Sequence, residues 1–137
     1  MSNVYARNRT PTGDEYFDVA TDLYLELRRV TGNPKIFPKR SLYTDVVPML
    51  NMFREMRNYM TKARTRYPTD EENLKMRKEY LYRAIEAGQA LNTQIQDAIW
   101  AIDTVTPENM EQVGRLLQSE LSLLRSVRKN TKIQRSK

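Results

Sequence analysis

Three groups of basic side chains carry the chemistry that this sequence offers. Arg54, Arg57, Lys62, Arg64 and Arg66 form the first, and Lys75, Arg77, Lys78 and Arg83 the second. The third closes the chain: Arg125, Arg128, Lys129, Lys132, Arg135 and Lys137, with no acid after Glu120. Cations at this density can neutralise phosphates and release their counterions, the main sequence-independent source of nucleic-acid affinity. Lysine and arginine number 23 against 17 acidic residues, giving a net charge of +6 and a pI near 9.6. Such an excess favours polyanionic partners. A merely solvated surface is the competing explanation, with Glu55, Glu71, Glu72 and Glu79 as local counter-charges.

Other chemistry is thin. The 137 residues include no histidine and no cysteine, which removes the usual neutral-pH base, the usual metal ligand and any thiolate. Helix bundles that hold metals do so with Glu and Glu-x-x-His sets, and that pattern cannot occur here. Phosphate-cradling and nucleophile-elbow motifs are also missing from the sequence. A non-catalytic protein with no cofactor and no metal site is expected. Tyr59, Tyr67, Tyr80 and Tyr82 can stack on unpaired bases. Tyrosines at helical spacing more often pack half-buried, with the hydroxyl in water. Glu71 and Glu72 read as dipole-favoured acids at a helix start. No apolar run approaches the roughly 20 residues that span a bilayer. Met1 to Tyr5 lack a basic segment followed by an apolar one, so a cytoplasmic location is expected.

The elements that must position these groups are helical. Four glycines leave few sites for tight turns, which argues against many short strands. Tyr16, Ala20, Leu23, Leu27 and Val30 recur at steps of four and three, predicting a helix over 13–31 that Thr31-Gly32-Asn33-Pro34 ends. A second helix is expected over 41–66, with Val47, Leu50, Phe53, Met60 and Ala63 on its stripe and a late start or mild bend at Pro48. Thr69 and Glu72 have the form of a capping box for a third helix over 70–103. Its seam runs through Leu74, Leu81, Ala84, Gly88, Leu91, Ile95, Ala98 and Ile102, and the small residues allow close approach of a neighbouring helix or subunit. Thr106 and Pro107 predict the start of a fourth helix over 107–128, carried by Met110, Val113, Leu117, Leu121 and Leu124. The short connections predict an all-α, up-down antiparallel four-helix bundle over 13–128, with an arm at 1–12 and a basic tail at 129–137. Ile99 and Trp100 flank the seam; at least one of them belongs to the core by expectation, and surplus apolar surface favours a closed ring or dimer.

The stretch Asn33-Pro34-Lys35-Ile36-Phe37-Pro38-Lys39-Arg40, lying between two amphipathic helices, is similar to a known pattern. With the long third helix and Val113-Gly114-Arg115-Leu116-Leu117 in the fourth, the chain resembles the four-helix-bundle proteins that include the Avd accessory proteins of diversity-generating retroelements and the ribosomal-RNA intervening-sequence proteins. The resemblance spans most of 13–128. It implies a homopentameric ring with a positive surface that binds a reverse transcriptase and template RNA or DNA, without catalysis of its own. Lys39 and Arg40 match the motif after the first helix, and Arg115 matches the fourth-helix motif. Taken with the charge runs, the expected nucleic-acid contacts are Lys39, Arg40, Arg64, Arg66, Arg115, Arg125, Arg128, Lys129, Lys132 and Arg135. The intervening-sequence branch implies an alternative: a structural or protein-interaction bundle whose charge is only solubilising.

Overall fold

A computed structural model describes residues 14–134. The arm expected at 1–12, together with Arg135, lies outside the described residues. Four α-helices follow in order: α1 (Glu15–Thr31), α2 (Val47–Thr65), α3 (Glu71–Ala101) and α4 (Glu111–Asn130). The closest neighbours are α2 and α3, then α1 with α4 and α3 with α4, while α1 and α2 touch little. Sequential helices run antiparallel, as short connections require, and the four enclose one core. No helix among the described residues is long and apolar enough to cross a membrane.

That core follows most of the stripes read from the sequence, but on α2 Met49 and Met56 are buried while the expected Val47 and Leu50 are only half-buried, as is Leu74 on α3. Tyr16, Leu23 and Leu27 from α1 meet Phe53, Met56 and Met60 from α2, Leu81 and Leu91 from α3, and Leu117 and Leu124 from α4. The small-residue seam is internal. Gly88 lies against Leu121 of α4 and Met56 of α2, at a point where a β-carbon would force the Leu121 side chain to shift. Ile99 packs partly on the core, whereas Trp100 is 81% exposed.

Other differences from expectation lie at helix ends. Lys39–Ser41 form a 3-10 turn and Leu42–Val46 a π turn before α2 becomes regular at Val47. The cause is Pro48, which has no N–H to give and whose ring crowds the carbonyl four residues back. The Val47 amide reaches instead to the Leu42 carbonyl, five residues back, and the widened turn makes room for the ring. Gly32 ends α1 at φ −85°, so the left-handed cap that glycine often supplies is not used. A β-carbon there would sit 2.9 Å from the Arg28 carbonyl oxygen. The fourth helix begins four residues later than expected: Thr106 Oγ1 accepts from the Asn109 amide at 3.2 Å, so it caps a separate turn ahead of Glu111. Helix α4 also continues to Asn130, two residues into the segment assigned to the tail.

The capping box at Thr69 and Glu72 is replaced by a cap one residue on. Asp70 is extended, and its Oδ1 accepts from the Asn73 amide at 2.8 Å. An aspartate in this role satisfies an orphan donor and also complements the helix dipole. Asp70→Ala is expected to lower stability by about 1 kcal/mol, while Thr69→Ala changes it by less than about 0.5 kcal/mol. Urea midpoints for the two variants decide between the caps; a larger loss at Thr69 would restore the capping box.

Candidate nucleic-acid interface

Up-down topology brings the end of α2, the start of α3 and the end of α4 to the same pole. Hydrogen bonds between elements stitch that pole together. Arg66 Nη1 donates to Asn73 Oδ1 at 3.2 Å, and Arg77 Nη1 to the Arg66 carbonyl at 3.4 Å. Arg128 Nε donates to the Lys78 carbonyl at 3.1 Å, joining α4 to α3. Beyond α4, the Gln134 amide donates to the Pro68 carbonyl at 2.8 Å, so the basic segment folds back over the α2–α3 connection.

Six of the expected contacts gather here: Arg64, Arg66, Arg125, Arg128, Lys129 and Lys132. Arg125, Arg128 and Lys129 stand at i, i+3 and i+4 on α4, so they share a face. Lys62, Lys75, Arg77 and Lys78 join them from α2 and α3. Among the described residues none of these ten cations forms an ion pair; the pairs are Arg29 with Glu26, Arg83 with Glu79 and Glu86, and Arg115 with Glu111. Acids are present as well, at the starts of α1 and α3, and Asp70 is already engaged as a cap. Several cations are braced by rings. The Arg64 guanidinium lies 4.2 Å from the Phe17 ring centroid, the Arg128 guanidinium 5.3 Å from that of Tyr82, and Lys62 Nζ 5.0 Å from that of Tyr59.

The remaining expected contacts are elsewhere. Lys39 and Arg40 occupy the 3-10 turn before α2, and Arg115 is in the first turns of α4, all at the opposite pole. Helix α2 alone separates the poles by about 28 Å, at 1.5 Å for each of its 19 residues. Arg115 is also paired with Glu111 at 2.7 Å. One chain therefore does not present all ten expected residues on one surface. At this second pole the Thr104 hydroxyl donates to the Ile36 carbonyl at 2.7 Å, tying the α3–α4 connection to the α1–α2 connection. Tyr43 and Trp100, each 81% exposed, lie at the same pole with half-exposed Leu42.

The tyrosines divide. Tyr59 and Tyr80 are partly buried and stack on each other with centroids 6.3 Å apart, so their role is packing. Tyr67, in the α2–α3 connection, is 70% exposed, and Tyr82 is exposed as well.

Sequence reasoning missed a buried acid near the arginine pole. Glu120 is 0% exposed, neither carboxylate oxygen has a hydrogen-bond partner, and burial pushes its pKa up to about 9. It is a neutral acid at pH 7. Tyr16, whose buried hydroxyl also lacks a partner, is raised by burial, an effect that the Arg77 charge opposes. The signal was in the spacing: Glu120 falls three residues after Leu117 and four before Leu124, on the apolar stripe of α4.

Compared with protein-family models, with curated proteins and with solved structures, the chain matches none. Fold and surface define it as an all-α four-helix protein with one strongly cationic pole.

Proposed function

We propose that this protein is a non-catalytic binding factor that holds nucleic acid through the arginine pole. The observation that carries the reading is the convergence of Arg64, Arg66, Arg125, Arg128, Lys129 and Lys132, from three segments and without acidic partners among the described residues. Solubility needs charge but not convergence, and phosphate neutralisation benefits from it. Resemblance in the Asn33–Arg40 stretch and in α4 extends the proposal to an accessory of a diversity-generating retroelement. In that role the partners are a reverse transcriptase and its template RNA, with DNA as a further ligand. A closed homopentameric ring would repeat the cationic pole and multiply its avidity. Exposed Trp100, Tyr43 and Leu42 supply apolar surface for contacts between subunits.

Reversing Arg125, Arg128 and Lys129 to glutamate tests the reading. Loss of three phosphate contacts should flatten the slope of log affinity against log salt by about 2 on single strands. At low salt RNA affinity should fall about 100-fold with helix content unchanged, because the three side chains are exposed. The same reversal at Lys39, Arg40 and Arg115 shows whether the second pole contributes. Wild-type protein that retains neither RNA nor DNA at low salt would end the nucleic-acid reading. Failure to co-purify with a reverse transcriptase expressed beside it would end the accessory reading.

A further inference from the structure

We propose that the groove between the start of α3 and the segment after α4 takes unpaired nucleotides, so that the arginine pole prefers single strands to duplex. This rests on the phosphate-binding reading of that pole. The groove encloses about 510 Å³ and mixes two kinds of surface. Leu74 and Ile133 supply an apolar part, and Lys75, Lys78 and Arg128 a cationic one. Ile133 is set there by the bond from the Gln134 amide to the Pro68 carbonyl, and at 37% exposure it shows apolar surface to solvent. Glu71 and Glu79 also line the groove; Glu79 is held by Arg83 at 3.1 Å.

Arg128 extends the site. Its Nε is committed to the Lys78 carbonyl and its guanidinium lies over the Tyr82 ring, four residues further along the same face of α3. A guanidinium with one face on a ring presents the other face to a planar ligand. Duplex bases are hidden in their stack, so a duplex would bring only phosphates to Leu74 and Ile133 and leave both uncovered. An unpaired nucleotide answers both surfaces: its phosphate meets Lys75 and Lys78, and its base covers the apolar part or stacks on Arg128. Stacking of this kind is indifferent to base identity, because every base has a π-face.

The test is fluorescence anisotropy at one fixed salt with three probes: an oligouridylate, an oligothymidylate and a duplex of equal length. At least one single strand should bind about tenfold more tightly than the duplex. Ile133→Ala and Tyr82→Ala should each remove most of that advantage, leaving duplex affinity and the salt slope unchanged. Neither position belongs to the buried core, so both variants should keep wild-type helix content. Comparing the two single strands shows whether the ribose hydroxyl adds to recognition, and either strand reaching the tenfold mark supports the proposal. Equal affinity for single strands and duplex, or variants that weaken all probes alike, overturns the groove and leaves the phosphate reading standing. Binding of no probe overturns the phosphate reading, and the groove with it.

Discussion

Gly88→Val is expected to destabilise the bundle by about 3 kcal/mol, enough to remove a large share of a small domain's stability. A β-carbon on Gly88 would stand 2.6 Å from Leu121 Cδ2 and 3.1 Å from Met56 Sδ. Both contacts are ends of flexible side chains, which in an open site would swing aside. Here Leu121 is almost wholly buried and Met56 wholly so, so neither can move without displacing another core residue. Even Gly88→Ala should lose about 1 kcal/mol, because overpacking outweighs the roughly 1 kcal/mol that alanine gains over glycine within a helix. Gly114→Ala is the control of opposite sign. Nothing lies within 4 Å of its would-be β-carbon, so the propensity gain of about 1 kcal/mol appears unopposed. Urea midpoints should move down for Gly88→Ala and up for Gly114→Ala. Equal rises in both would show that the helices do not meet at Gly88.

Gly88 also marks how far the sequence could be read. Its place in the seam Ala84-x-x-x-Gly88 announced a close approach, but periodicity cannot say whether the approaching helix is in the same chain. The long stripes were legible because each repeats over many turns, as in the Tyr16–Val30 and Leu81–Ala98 faces. Helix ends were less so, since each is settled by one or two local bonds. Thr69 and Asp70 are both good caps by type, and only the extended backbone at Asp70 decides between them. Thr106 does cap a turn, and the spacing of apolar residues cannot show that the turn stops before Glu111. For the charged surface, the convergence of 62–66 with 75–78 followed from the short α2–α3 connection. The distance from Lys39 and Arg40 to that pole was implicit as well, since the helix expected over 41–66 stands between them. Glu120 escaped notice because charge was counted along the chain, where a carboxylate is an anion, and not by face, where this one is buried.

Stability should fall steadily as pH rises from about 5 to 9, and Glu120 should account for most of the fall. Its folded pKa of about 9 stands above the ordinary 4.5, with burial as the cause. Below about pH 4.5 folded and unfolded chains both carry the proton, and the group contributes no pH dependence. Between the two values only the folded state keeps it, so unfolding releases a proton and each unit of pH weakens the fold by about 1.4 kcal/mol. At pH 7 the penalty is on the order of 3 kcal/mol, and above about pH 9 it stops growing because both states are ionised. The chain is well suited to show this, since it has no histidine and no cysteine to titrate in the same window. Glu120→Gln should give a nearly flat profile of urea midpoint against pH. Glu120→Leu should be flat as well and stabilise the fold at pH 7 by about 3 kcal/mol, because an apolar side chain removes the unpartnered carboxyl from the core. That gain should vanish toward pH 4.5 if ionisation is its source, and persist there in whatever part comes from better packing. Parallel falls in the wild-type and Glu120→Gln midpoints between pH 5 and 9 would show that another group carries the dependence and that Glu120 is not held neutral by the core.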